Sequence, residues 1–306
     1  KDETVDQTYL VHQPVARSSA GQSFDISATI VSDEEIEKVE AWFQNGNTYE
    51  AIDLSAANNY DYSAKVPEKL LKTGFLNYRI IVSTAAGKFT FPGGVKGSPA
   101  DWDFHSSGEF ETRIEEKESP LYLFDASTDS DEVVRKWLPG NNVVPVDGND
   151  AEFQVKIDSL FKEDIENKNS KPIYDYSFRY NFLQRIGTRS LENKEQIVIE
   201  ARSLNEQNEK LQVALVMDNG ASFGKVIELT PEIQEVPISL EELQPVRTVT
   251  LPRPYPGFLP YYFDHNYEGE LKMENVESIQ FSIGPGIEEE RLQQPHEIGI
   301  RSVRLQ

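Results

Sequence analysis

From Ile173 to Phe182 an aromatic ring falls at every second position: Tyr174, Tyr176, Phe178, Tyr180 and Phe182. A period of two belongs to an extended strand, whose side chains point alternately to its two faces. On a helix the same rings would be scattered round the circumference. The segment is therefore expected to be a strand with an aromatic core face and a polar face carrying Asp175, Ser177, Arg179 and Asn181. Only the polar face of such a strand is free to meet a ligand. The rings need a second layer opposite them, and helical periodicity is scarce elsewhere, so that layer is another sheet.

Short β-rich runs recur along the chain between Gly, Pro, Asn and Asp, the pattern of antiparallel sandwiches. In the first third, Ser23–Val31 alternates with Phe24, Ile26, Ala28 and Ile30 on one face. Further strands are expected at Val39–Phe43, Asn59–Val66, Leu76–Val82, Lys88–Phe91 and Glu109–Ile114, with one helical turn opening on Pro67. A glycine- and proline-rich loop, Pro92–Asp103, carries Trp102 near its end. This count and spacing suit an immunoglobulin or fibronectin-type sandwich. The charged run Glu115–Pro120 is the best boundary, giving domains of residues 1–116 and 117–306.

The second domain is expected to be a larger jelly-roll β-sandwich. Its strand signals are Leu121–Phe124, Glu152–Ile157, the aromatic strand, Gln196–Leu204, Leu211–Met217, Lys225–Leu229, Glu235–Ser239, Arg247–Leu251, Ser278–Ile283 and Glu297–Leu305. A short helix is expected over Asp131–Leu138, capped by Asp129 or Ser130 and stopped by Pro139 and Gly140. Asn205–Lys210 reads as a polar hairpin between two buried neighbours. The fold class is all-β.

The charge balance narrows the partners. Fifty-two acids against 30 bases leave a formal charge of −22 over 306 residues. No basic stripe is present to neutralise phosphates, which argues against nucleic acid and against an anionic membrane surface. No apolar run is long enough for direct membrane insertion. Cysteine is absent, so disulfides and thiol chemistry are excluded, and both the cytosol and a bacterial exterior remain open. The polar opening Lys1–Gln7 is no signal peptide and reads as the start of a processed or longer protein.

Leu251–His265 packs four prolines, a glycine, five aromatics, an arginine and a histidine into one segment. Proline fixes φ and donates no hydrogen bond, so the segment is a stiff, extended loop. Two readings stand. Either its rings fold back to plug the end of a sandwich, or they face outward as a platform for a sugar. In the second case Tyr255, Phe258, Tyr261 and Tyr262 stack on pyranose faces, while Arg253, Asp264 and His265, with Arg179 and Asp175, bond the hydroxyls.

Elsewhere the signals are weak. Acidic pairs are too common to single out a catalytic one, and His12, His105, His265 and His296 lack zinc-type spacing. Glycine pairs at Gly93 and Gly284–Gly286 are turn signals outside any strand–glycine–helix setting. Asp125, Asp129 and Asp131 form the one metal-like cluster, dense enough in carboxylate to hold a structural calcium. The same residues also read as a turn and a helix cap. No other cofactor is indicated, and no catalytic residue is assigned.

The second half resembles the jelly-roll carbohydrate-binding modules attached to secreted polysaccharide-degrading proteins of Gram-negative bacteria. Leu123–Ala126, Val236–Leu240, Leu251–Phe258, Ile279–Gly286 and Ile298–Leu305 carry that resemblance. The first half is similar to the immunoglobulin-like modules beside such domains, through Phe91–Gly94 and Trp102–Phe104. Many such jelly rolls hold a structural calcium with an acid in the last strand, where this chain has Arg301 and Arg304. The resemblance implies an extracellular, cell-surface or periplasmic accessory role with an oligo- or polysaccharide as ligand, and a catalytic domain or a surface glycan-uptake protein as companion. A structural spacer or docking module is the first alternative. A sandwich-fold glycosidase or lyase is the second, for which His265 with Tyr261 or Tyr262 is the compact candidate.

Overall fold

The strand periodicities of the sequence are realised in a computed structural model, which describes residues 8–46, 48–106, 108–135, 141–146, 151–164, 169–172, 176–252, 262–263 and 266–306. The chain divides into two units: residues 1–119 with 186–189, and residues 120–185 with 190–306. Both are built from β-sheet, so the all-β expectation holds. No described helix is long and apolar enough to cross a membrane.

The first unit contains β1 (Thr8–Val11), β2 (Arg17–Ser19), β3 (Asp25–Ser32), β4 (Ile36–Asn45), β5 (Thr48–Asp53) and β6 (Ser55–Ala56). It continues with β7 (Asp61–Lys65), β8 (Gly74–Thr84), β9 (Gly87–Phe91), β10 (Val95–Lys96) and β11 (Phe110–Glu115). One sheet runs β1-β3-β7-β6. The other runs β10-β9-β8-β11-β2, with β4 also paired to β8 and β5 to β4. Alternation decides which side chains lie between them. Phe24, Ile26, Ala28 and Ile30 are buried, as expected, against Val39, Ala41 and Phe43 of β4 and Leu76, Tyr78, Ile80 and Val82 of β8. Pro67 starts a single 3-10 turn at Glu68–Leu70.

The second unit opens with β12 (Leu121–Asp125), β13 (Val134–Arg135), β14 (Asn141–Val146), β15 (Glu152–Ile157), β16 (Phe161–Asp164) and β17 (Asn169–Pro172). It goes on through β18 (Tyr176–Asn181), β19 (Gln196–Ser203), β20 (Glu209–Met217), β21 (Ser222–Leu229) and β22 (Gln234–Ser239). The remaining strands are β23 (Gln244–Pro245), β24 (Thr248–Val249), β25 (Tyr262–Phe263), β26 (Val276–Ile283) and β27 (His296–Leu305). One large sheet runs β14-β15-β27-β19-β22 with β12 beside β27, and the other runs β13-β18-β26-β20-β21-β23. Rings join the two layers. Phe124 meets Phe153, Tyr180 and Phe281 at centroid distances of 6.1, 5.6 and 5.9 Å, and Phe153 meets Phe178 at 5.7 Å. The aromatic face of β18 is thus core, and Phe182 extends it.

Two local expectations fail. Over its described part the helix placed at Asp131–Leu138 lies earlier, as an α-turn at Ala126–Asp129 and a 3-10 turn at Ser130–Glu132, after which Val134–Arg135 is strand; residues 136–138 and the stop at Pro139 and Gly140 lie outside the described residues. Asp125 is the cap that decides the start, its Oδ1 accepting from the Ser127 amide at 3.0 Å. Nor do β19 and β20 form a hairpin. β19 pairs with β22 and β27, β20 with β21 and β26, so the chain changes sheets between them. β20 is buried on both faces, and such a continuous apolar run cannot tell a hairpin from a crossing between layers.

Candidate functional site

Period-two alternation gives the sheet around β26 two unlike faces. With Tyr176, Phe178 and Tyr180 turned inward, Ser177, Arg179 and Asn181 must point outward, and the strand register extends them into three transverse rows. Ser177, Ser282, Gln212 and Val226 form the first row. Arg179, Gln280, Ala214 and Gly224 form the second, and Asn181, Ser278, Val216 and Ser222 the third. The face is hydroxyl and amide at one side, small and apolar at the other.

Most of these polar groups are satisfied. Ser177 and Ser282 share a hydrogen bond of 2.9 Å. Arg179 Nε donates to Ser278 Oγ at 2.7 Å and Nη2 to Glu277 Oε1 at 3.2 Å. Burial pushes the Arg179 guanidinium below its usual pKa, and Glu277 opposes that shift. Gln212 Nε2 donates to the Arg247 carbonyl at 3.3 Å, and the Ser222 and Thr248 hydroxyls lie 2.5 Å apart. Gln280 is the exception. It is 0% exposed, at the centre of the face, and neither its amide nitrogen nor its oxygen finds a partner among the described residues. Each such atom costs about 1–3 kcal/mol relative to a satisfied one.

The contacts of Gln212 and Ser222 also fix what crosses this face. Residues 247–249 pass over β20 and β21, and Thr248 and Val249 pair with Phe263 and Tyr262. Of the strands bordering the proline-aromatic segment, β24 is therefore anchored at the polar face and β25 is paired to it. Among its proposed ligand contacts, Tyr262 lies in β25, while Arg253, Tyr255, Phe258, Tyr261, Asp264 and His265 lie outside the described residues, as does Asp175. Arg179 is on the polar face. Sequence reasoning missed Gln280, Gln212, Ser278 and Ser282, which no short-range pattern marks as neighbours of Arg179.

The acidic cluster takes another form. Asp129 is buried and its Oδ1 accepts from Arg185 Nη1 at 2.9 Å and Thr128 Oγ1 at 2.9 Å, while Oδ2 accepts from the Asp125 amide at 2.8 Å. Asp125 caps the turn, with Arg185 Nη2 3.6 Å from its other oxygen, and Asp131 is exposed. Calcium asks for six to eight oxygens, whereas these carboxylates face a guanidinium and backbone amides. Among the described residues no group of three His, Asp or Glu is placed to hold a metal. In the last strand, Arg304 donates to Glu235 at 2.8 Å, and Arg301 lies 3.7 Å from Glu200.

Two histidines are locally satisfied. His12 Nδ1 donates to the Ser27 carbonyl at 2.6 Å and Nε2 accepts from the Tyr78 hydroxyl at 2.7 Å. His296 is enclosed between Glu209 Oε2 at 2.8 Å and the Arg291 carbonyl at 3.0 Å. In the first unit a shallow cleft of about 470 Å³ is lined by Tyr9, Phe89, Phe91 and Gly93–Gly94. Nearby on the sequence, Trp102 is 95% exposed on a loop held by Thr90 Oγ1 on the Gly97 carbonyl and Asp101 Oδ2 on the Ser98 amide.

No family model matches the chain, and no curated protein matches it. Several solved structures are similar at low identity. The family 11 carbohydrate-binding module of the cellulosomal cellulase Lic26A-Cel5E of Clostridium thermocellum is 12% identical, covering 61% of this chain and 92% of that one, with a TM-score of 0.39. The agarase AgWH50C is 14% identical over 61% of this chain and 26% of its own length, at 0.37. A cycloalternan-degrading enzyme from Trueperella pyogenes is 12% identical over 96% of this chain and 35% of its own, at 0.28. At these scores none of the likenesses transfers a ligand or an activity. The chain spans about a quarter of the agarase and about a third of the cycloalternan-degrading enzyme.

Proposed function

We propose that this chain is a non-catalytic, extracellular accessory region that binds an oligo- or polysaccharide on the polar face of β18, β26 and β20. Under this proposal Tyr255, Phe258, Tyr261 and Tyr262 stack on the sugar, and Arg253, Asp264 and His265, with Arg179 and Asp175, bond its hydroxyls. In this reading the first unit is an immunoglobulin-type module and the second a jelly-roll module, accompanied by a catalytic domain or a glycan-uptake protein at the surface of a Gram-negative cell. The strand orders β1-β3-β7-β6 and β10-β9-β8-β11 with β4 and β5 support the first assignment.

One observation carries the proposal: the amide of Gln280, without a partner among the described residues, at the centre of a hydroxyl-rich face. A carboxamide donates and accepts at once, as a saccharide diol does, so a bound sugar would satisfy both of its atoms. Burial of the same face favours a second reading, a structural spacer whose polar row is simply covered. Titration calorimetry across a polysaccharide panel separates them, using wild type, Gln280→Met, Tyr255→Ala and Tyr261→Ala. Saccharide binding requires a glycan whose affinity falls about tenfold or more, roughly 1.4 kcal/mol, in Gln280→Met. Glycan binding indifferent to all three substitutions, or no glycan bound by a folded protein, leaves the spacer.

A further inference from the structure

The charges around the polar face restrict the ligand further than its hydroxyls do, provided the binding reading above is right. Arg179 is the cation nearest Gln280 in the strand register, and it is committed to Glu277 and Ser278. Lys210, two positions before Gln212 on the same side of β20, is bound to Glu288 and to the Gly286 carbonyl. Arg247 meets the face through its carbonyl, which receives Gln212, and has a further partner of its own. The cations of β18 and β20 are thus already held, each with a carboxylate against it. Between Arg179 and Lys210 the described face is neutral: serine hydroxyls, the amides of Gln280, Gln212 and Asn181, and the small side chains of Ala214 and Gly224.

An anionic sugar bound there would need a positive charge to offset its desolvation. In the site proposed above, Arg253 is outnumbered by Asp175 and Asp264, so Arg179 or Lys210 would have to leave its carboxylate, which would then stand unpaired beside the new anion. A chain carrying −22 overall adds a repulsive field. Neutral hydroxyls meet neither obstacle. They bond serines and amides in either direction, as donor or acceptor.

We infer that the face is built for an uncharged glycan and rejects uronate-containing and sulfated polysaccharides. The test is affinity electrophoresis followed by calorimetry at 50 and 500 mM NaCl. The neutral probes are barley β-glucan, xyloglucan, galactomannan, arabinoxylan and agarose. The anionic probes are polygalacturonate, alginate and carrageenan. Wild type is compared with Gln280→Met, or with Gln212→Met should the first variant not fold. The expected result is a neutral glycan that binds with less than about a twofold change between the two salts, and that loses affinity about tenfold in the variant. Binding of an anionic polysaccharide that weakens with salt, and is lost in the variant, would keep this face as the binding site while overturning the ligand class. Absence of binding across the panel, or binding unaffected by the variant, would instead remove the site itself and the inference with it.

Discussion

Glu152 reaches across a neighbouring strand to grip Arg202. Its Oε1 accepts from Arg202 Nε at 2.8 Å and its Oε2 from Nη2 at 2.9 Å, a two-pronged contact from β15 to β19 over the intervening β27. Gly299 makes the crossing possible. A Cβ there would stand 2.6 Å from the carboxyl carbon of Glu152. Gly299→Ala should therefore push the carboxylate off Arg202 and leave a buried acid poorly paired, costing about 1–3 kcal/mol in denaturant unfolding. In a double-mutant cycle with Arg202→Ala the two losses should not add, because both remove the same contact.

The same carboxylate sets an acid limit on stability. Burial alone would raise the pKa of Glu152, but the Arg202 and Gln154 hydrogen bonds and the charges of Arg202 and Arg301 outweigh it and hold the group below its usual 4.5. A depressed folded-state pKa gives stability that is present above the unfolded value and lost as pH falls through the folded one. Unfolding free energy should thus decline on acidification below about pH 4.5, and Glu152→Gln should flatten that decline while lowering stability at neutral pH. Urea unfolding at pH 3 to 7 reads both effects. An unchanged slope in the variant would remove Glu152 from the acid response.

His12 makes the corresponding prediction for the first unit. Desolvation lowers its pKa from 6.5, against a smaller raising effect of the Ser27 carbonyl. Neutral imidazole fits its contacts, since Nε2 accepts from Tyr78 while Nδ1 donates. Protonation takes away that acceptor and opposes folding. Stability from this site is full above the unfolded pKa and lost as pH falls through the folded one. NMR titration should find the His12 ring changing charge below pH 6.5, with amide exchange along β8 accelerating over the same interval. A His12 midpoint at or above 6.5 would contradict this.

How far the sequence led depends on the length scale of each signal. Alternation in Ser23–Val31 and in the aromatic strand is local, and both core faces were legible from it. The cap at Asp125 was hidden because Asp125, Asp129, Ser130 and Asp131 all have capping side chains, and it is long-range pairing that takes Asp129 up with Arg185 and leaves Asp125 to cap. The crossing between β19 and β20 could not be read, since burial of β20 on both faces erases its period, and the alternation of β19 marks an inner face but not a partner strand. The polar face was half legible: alternation put Arg179 and Ser177 on it, but Gln280 joins them through a register about a hundred residues away in sequence. Glu152, Gly299 and Arg202 meet by the same kind of long-range pairing.

Gln280 should behave unlike an ordinary buried polar residue. Where a buried amide is satisfied, its replacement by an apolar side chain of similar volume destabilises the fold. Here both amide atoms lack partners among the described residues. Gln280→Met removes the two orphaned groups and keeps the volume, so it should raise unfolding free energy by about 1–2 kcal/mol. A gain in stability with loss of glycan binding is the signature of a residue held for a ligand. A loss of stability would instead indicate that ordered water satisfies the amide in the free protein.

The enclosed pair Glu209 and His296 supplies the last contrast. Glu209 and the His296 ring are both fully buried, so neither is placed to touch a ligand. Glu209 gathers three donors from three places in the chain: Asn205 Nδ2 at 2.6 Å, Arg291 Nη2 at 3.1 Å and His296 Nδ1 at 2.8 Å. It thereby ties the start of β20 to the start of β27. Removing the carboxylate strands all three donors at once, two of them able to carry positive charge. Glu209→Ala should therefore cost about 3–5 kcal/mol, the range for breaking a buried pair by deleting one partner. His296→Ala leaves Glu209 with Arg291 and Asn205 and opens a cavity instead, so its cost should be smaller. Denaturant unfolding of both variants decides the order, and a His296→Ala loss exceeding that of Glu209→Ala would show packing of the ring, not the carboxylate, to be what holds the two strands together.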